Sequence, residues 1–237
     1  MIFKQPGYRN TIEVLKIVKE AAIANEIDTV IIASTSGETA RKALKVFDFV
    51  VESDSWGQTR NETQTRNESR NAETHDTEPS NTNRQIKNLI VVSHVAGFDS
   101  PDSAELAPEI RAELEAAGAI VVTAAHSLGG IGRAARIKFG TYGTDELIAH
   151  ALRLFGEGTK VAIEIAMMAA DAGAISTQQR VISIGGSTSG ADAALIMQPA
   201  NTHRFFDIRV DEILCKPAVS KVWFKQKKES ESEDASR

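Results

Sequence analysis

Two copies of one tetrapeptide, Ser34-Thr35-Ser36-Gly37 and Ser187-Thr188-Ser189-Gly190, occupy the same kind of position in the chain. Each follows an apolar run, Thr29-Val30-Ile31-Ile32-Ala33 or Val181-Ile182-Ser183-Ile184, that reads as a buried strand. The first copy passes at once into helix-forming residues, Glu38 through Phe47, which puts the turn at a helix N-terminus. There, unpaired N–H groups and the positive end of the helix dipole make an anion site. The plainer reading of Ser34 to Thr39 is a cap, with Thr35 or Ser36 satisfying backbone donors and Glu38 complementing the dipole. The second copy follows Gly185-Gly186, and glycine at both ends lets backbone approach a ligand closely with hydroxyls between. Its plainer reading is a connection between two adjacent strands.

Two further apolar runs end in histidine. His94 follows the run at 88–93 and His126 the run at 119–124, so both should point into one crevice and stack on or hydrogen-bond a ligand ring. As a metal pair they lack a third clustered ligand, and no metal is expected. The ordinary alternative is a strand-end histidine satisfied by backbone. Ala125-His126-Ser127-Leu128-Gly129 also approximates the nucleophile elbow of α/β-hydrolases, which gives an alternative function, a serine hydrolase using Ser127. Asp192 and then His203 come in the order a triad needs. Against it, Ala125 stands where the motif has glycine, and only about two complete strands precede the elbow. Arg133 and Arg136 are within reach of a phosphate, or else form a solvated helix face. Cys215 and Met167-Met168 read as core.

The elements that must hold these residues alternate strand with helix, which predicts a three-layer α/β sandwich with a mainly parallel sheet and an antiparallel edge late in the chain. Asn10-Thr11 should cap a helix that buries Ile12, Leu15, Val18 and Ala22. A second helix should open at Ser100-Pro101 and close at Gly118. Others are expected at 131–138, 144–155 and 159–173, strands at 180–184 and 193–198, and a last strand or strand–helix pair over 205–214. In such sheets ligands sit at the carboxyl ends of the strands, where every polar turn above falls.

Thr59-Arg60-Asn61-Glu62-Thr63-Gln64 nearly repeats as Thr65-Arg66-Asn67-Glu68-Ser69-Arg70 inside a polar stretch with nothing to bury. The chain therefore reads as one domain, residues 1–224, interrupted by a disordered insertion at about 54–87 and followed by a disordered charged tail at 225–237. A formal net charge of -5 argues against general affinity for nucleic acid or an anionic membrane. One cysteine fits a reducing compartment, and neither a signal-peptide region nor a bilayer-long apolar run is present, so a cytoplasmic protein is expected.

The strand–Ser-Thr-Ser-Gly-Glu-Thr–helix unit resembles the C-terminal α/β domain of pyruvate kinase, where the equivalent turn grips a phosphate of the sugar bisphosphate activator. The chain is more closely similar to free-standing, mostly archaeal pyruvate kinase C-terminal-domain-like proteins. The resemblance is carried by Pro6-Gly7 with Asn10-Thr11, Gly37-Glu38-Thr39-Ala40, Ser93-His94 with Gly97-Phe98, and Thr123 with His126-Ser127 and Gly129. It continues through Lys138-Phe139-Gly140, Asp171-Ala172-Gly173, Gly185-Gly186 with Gly190-Ala191-Asp192, and Phe205-Phe206-Asp207. What it implies is a ligand-binding domain without the kinase's catalytic barrel, with flavin mononucleotide (FMN) as the ligand and the turns at 34–39, 94–97, 126–127 and 185–192 around it. A third function it allows is a regulatory subunit acting on a partner enzyme; a homo-oligomer is also compatible. The kinase loop usually has arginine after the glycine, where this chain has Glu38. A carboxylate there repels phosphate, so the second turn is the preferred phosphate seat, Ser34 to Thr39 the opposite wall, and Asp192 a partner for a ribityl or ribose hydroxyl, or a cap.

Overall fold

The computed structural model describes residues 1–49 and 86–219. The expected insertion up to residue 85, the tail at 225–237, Trp56 and Trp223 lie outside the described residues. Seven strands form one sheet: Ile2–Phe3 (β1), Thr29–Ala33 (β2), Asn88–Ser93 (β3), Ile120–Thr123 (β4), Val181–Gly185 (β5), Ala193–Gln198 (β6) and Arg209–Pro217 (β7). Among the described residues six α-helices accompany them: Thr11–Ala24 (α1), Glu38–Val46 (α2), Pro108–Ala116 (α3), Ile131–Phe139 (α4), Thr144–Arg153 (α5) and Glu157–Asp171 (α6).

The strand order is β1-β7-β6-β5-β2-β3-β4, and only the two pairings of β6 are antiparallel. The antiparallel strand is thus interior, whereas the sequence reading placed it at an edge. β7 pairs beyond β6, and the two-residue β1, too short to be seen as a hydrophobic run, closes the sheet beside it.

Successive side chains of a strand face opposite ways, so each strand feeds two cores. Val30, Ile32, Leu89 and Val91 pack with Leu15, Val18, Ala43 and Leu114 from α1, α2 and α3. Ile31, Ile90 and Val92 pack on the other face with Ala162, Ala166 and Met167 of α6. The result is an α/β three-layer sandwich. Helix α6 is the most enclosed of these helices, with twelve of its fifteen residues buried. Helix α4, by contrast, buries none and leaves Ile131, Ile137 and Phe139 exposed.

Two helices differ from expectation in register. The buried face of α1 is Thr11, Val14, Leu15, Val18 and Ala22, and Ile12 is exposed. Thr11 is drawn inward because its hydroxyl donates to Tyr8 O (2.7 Å) and accepts the Ala191 N–H (3.0 Å). Helix α3 starts at Pro108, not Pro101: Asp102 adopts a left-handed turn (φ 60) and Ala107 is extended, as a residue before proline prefers. No helix among the described residues is long and apolar enough to cross a membrane.

Candidate functional site

The carboxyl ends of β5, β2, β3 and β4 lie in a row, because these four strands are parallel neighbours in that order. The chain moves outward from β2 to β3 to β4, then returns to the far side of β2 as β5. Connections therefore change direction between β2 and β5, the point at which an open α/β sheet forms a crevice. A cleft of about 660 Å³ occupies that end.

Of the residues singled out in the sequence, Ser34, Thr35, Ser36, Glu38, Thr39, His94, His126, Gly186, Thr188, Ser189 and Gly190 border the cleft. Gly37, Gly97, Ser127, Gly185, Ser187 and Asp192 do not. Gly37 has φ 83, and a side chain there would meet Leu106 and Ile110, so it faces the core beneath the turn. Gly97 (φ 79) shapes the loop behind His94, its N–H donating to Ser103 O at 2.8 Å.

The first turn offers donors. Ser34 Oγ accepts the Ala40 N–H (3.3 Å) and the Ser34 N–H donates to Val92 O (3.0 Å), which leaves the amides of Thr35 to Thr39 without a partner among the described residues. Glu38 pairs with Lys42 one turn on (2.6 Å), and that hydrogen bond and charge lower its pKa. The second turn is more committed. Asp192 Oδ2 accepts N–H groups from Ser187 (3.3 Å) and Gly7 (2.7 Å), and Ala191 donates to Thr11. The Asp192 carboxyl is wholly buried, with Oδ1 lacking a hydrogen-bond partner; burial pushes its pKa up, and the Ser187 and Gly7 donors oppose this. Its position is structural: it ties the chain's start to the β5–β6 connection and does not reach the cleft.

One wall is aromatic. The His94, Phe98 and His126 rings contact one another, with Phe98 and His126 stacked at 5.6 Å and 19°. The Arg133 guanidinium lies over the Phe98 ring at 4.9 Å. His94 Nδ1 meets Glu105, which fixes its ring. Burial lowers the His126 pKa; Glu164 opposes this, and His94, Lys160 and Arg133 add to it.

The floor holds what the sequence reading missed. Lys160 and Glu164, one turn apart on α6, form an ion pair with side chains only 7% and 5% exposed. Leu128 N–H donates to the other Glu164 oxygen (3.0 Å). The signal was present: Lys160 and Glu164 interrupt a stretch, residues 160–170, otherwise apolar on all sides, and such a stretch of helix is buried with its charges. Arg153 at the end of α5 was also overlooked. Five Lys and Arg side chains and three glutamates line the cleft, a local cationic excess in a chain of net charge -5. Arg136 is committed to Glu146 (2.9 and 3.0 Å), but Arg133 and Arg153 have no carboxylate partner among the described residues.

The hydrolase constellation does not assemble. Ser127 Oγ lies 2.9 Å from Thr202 Oγ1, which also donates to Asp171 (2.5 Å), outside the cleft. Burial alone would raise the Asp171 pKa, but donors from Thr202 and Asn201 outweigh it and the pKa falls. Asp192 is held by Gly7 and Ser187, and His203 is exposed. Cys215 is buried, with its thiol pushed up to about 11 by that burial, so it is not a nucleophile. Among the described residues no three His, Cys, Asp or Glu side chains are grouped to hold a metal. No family model matches the chain.

Proposed function

We propose that the cleft binds a phosphorylated small molecule with a planar ring, and that the chain is a free-standing domain of the pyruvate kinase C-terminal type. The observation that carries the binding reading is the pairing, in one cleft, of an aromatic wall with unpaired cations and free amides. Phe98 and His126 offer stacked faces, and Arg133, Arg153 and the amides of 35–39 offer donors for an anion. FMN, the ligand implied by the sequence resemblance, matches both demands, and it enters on that resemblance alone. The first turn is the better phosphate seat: its free amides stand at the N-terminus of α2 and its carboxylate is turned onto Lys42, whereas the second turn opens no helix and gives its Ser187 amide to Asp192.

Calorimetric titration with FMN and riboflavin tests this. FMN should bind at least about tenfold more tightly, the worth of one charge-assisted phosphate contact. Arg133→Met should narrow that gap by weakening FMN more than riboflavin. Equal affinity for the two ligands removes the phosphate from the reading, and binding of neither removes flavin.

A further inference from the structure

The Lys160–Glu164 pair is an unusual thing to find at the base of a cleft. Removing two charges from water costs more than their attraction returns unless both are fully hydrogen-bonded. Glu164 meets that condition, with one oxygen on Leu128 N–H and the other on Lys160. Lys160 does not: its ammonium has three protons and, among the described residues, Glu164 is its one hydrogen-bond acceptor, while the residue borders the cleft. Its side chain is only 7% exposed, and Val161, Ile165, Met168 and Leu128 line the same cleft with apolar surface. Such an environment favours the free amine, and burial accordingly lowers the Lys160 pKa against the pull of Glu164, with Arg153 adding to the lowering.

We propose that Lys160 is a covalent capture site, whose amine condenses with the carbonyl carbon of a phosphorylated aldehyde or ketone held in the cleft. Glu164 accepts the ammonium proton, and the amine then attacks the carbonyl carbon, forming the C–N bond as the C=O π bond breaks. A proton passes from nitrogen to the new alkoxide. Glu164 returns its proton to that hydroxyl, which leaves as water, and an iminium remains on Lys160. Of the ammonium's three protons, one stays on nitrogen and two leave in water, and no oxidant or reductant is needed. His126, held towards its neutral form by burial, lies on the same wall as a second proton acceptor. The phosphate part of the substrate class rests on the binding reading above; the imine does not.

The test uses the full chain with pyridoxal 5′-phosphate and, separately, pyridoxal, each trapped with cyanoborohydride and mapped by peptide mass spectrometry. Lys160 should be the dominant labelled site, ahead of exposed lysines such as Lys16 and Lys138. Each unit of pKa lowering raises the free-amine fraction about tenfold, so Lys160 labelling should also peak at lower pH than theirs. Lys160→Arg should leave no dominant site. Labelling of Lys160 no faster than that of the exposed lysines, or none at Lys160, overturns the proposal and leaves a structural ion pair. Because the mapping is done on the unmodified sequence, a variant that fails to fold does not blur the result. Equal labelling by pyridoxal keeps the imine and counts against the phosphate, whereas the FMN titration can succeed with no labelling at all.

Discussion

The two Ser-Thr-Ser-Gly turns begin alike and end differently. Each follows a buried strand, and each ends in a glycine with positive φ, 83 at Gly37 and 71 at Gly190. After Gly37 comes helix α2; after Gly190 the chain reverses into β6, antiparallel to the strand it left. Local propensity does not explain the second outcome, since Ala191-Asp192-Ala193-Ala194-Leu195 would suit a helix as well. The buried Asp192 decides it by gathering the amides of Gly7 and Ser187 behind the turn, an interaction that reaches 185 residues along the chain. The lesson is that a turn motif fixes backbone shape, while the residues behind it decide whether its amides remain free for a ligand.

The glycines give the largest test of that difference. At Gly190 a methyl group would meet the backbone of Tyr8 and the Thr11 hydroxyl; at Gly37 it would meet side chains alone, the Ile110 Cγ2 methyl and Leu106 Cδ1. Both substitutions carry positive-φ strain, but at Gly37 the obstacle is a pair of side chains that can repack, whereas at Gly190 it includes fixed backbone. Gly190→Ala should cost about 3–4 kcal/mol and Gly37→Ala about 1–2 kcal/mol in urea unfolding. Equal costs would mean that the two turns are supported alike.

Asp192 comes next. Asp192→Ala strands two part-buried N–H groups and should cost about 2–3 kcal/mol, whereas Asp192→Asn keeps an acceptor and costs about 1 kcal/mol or less at neutral pH. Because burial raises the folded pKa, the folded state holds its proton more tightly than the unfolded chain does. That contribution is full below the ordinary aspartate range and is lost as pH rises through the raised folded value. Melting temperatures of the unmodified protein should therefore decline across that interval, and Asp192→Asn should flatten the decline. A variant that binds ligand weakly while keeping full stability would instead put Asp192 in the site. At the first turn, Ser34→Ala removes only the acceptor for the Ala40 N–H and should cost about 1 kcal/mol.

Strands β2 to β6 were legible because β-branched runs bounded by glycine and hydroxyl residues have few other outcomes, and their carboxyl ends located most of the cleft. Strand order was not legible: nothing in residues 193–198 says that β7 will pair beyond them. The start of α3 was misread because Pro101 and Pro108 carry the same local signal, and Asp102 is what excludes the first. Lys160 and Glu164 were hidden by the helix around them, whose apolar residues made the whole segment read as core. The site was most visible where chemistry sits on turns and less so on helix sides, where Arg133 and Arg136 were picked out but Arg153, Lys160 and Glu164 were not.

The smallest effect is the most discriminating between the two turns. Glu38 is exposed and paired with Lys42, so Glu38→Gln should scarcely move the melting temperature. It does remove a negative charge from the first turn of α2. With phosphate on the amides of 35–39, FMN should bind about threefold more tightly to Glu38→Gln, and the gain should shrink as salt is added. Riboflavin affinity should not change. Thr188→Ala with Ser189→Ala, by contrast, should leave the FMN-to-riboflavin ratio as it was. The reverse pattern, a ratio insensitive to residue 38 and collapsed by residues 188 and 189, would return the phosphate to the glycine-rich turn and make the free amides of the first a cap exposed to water.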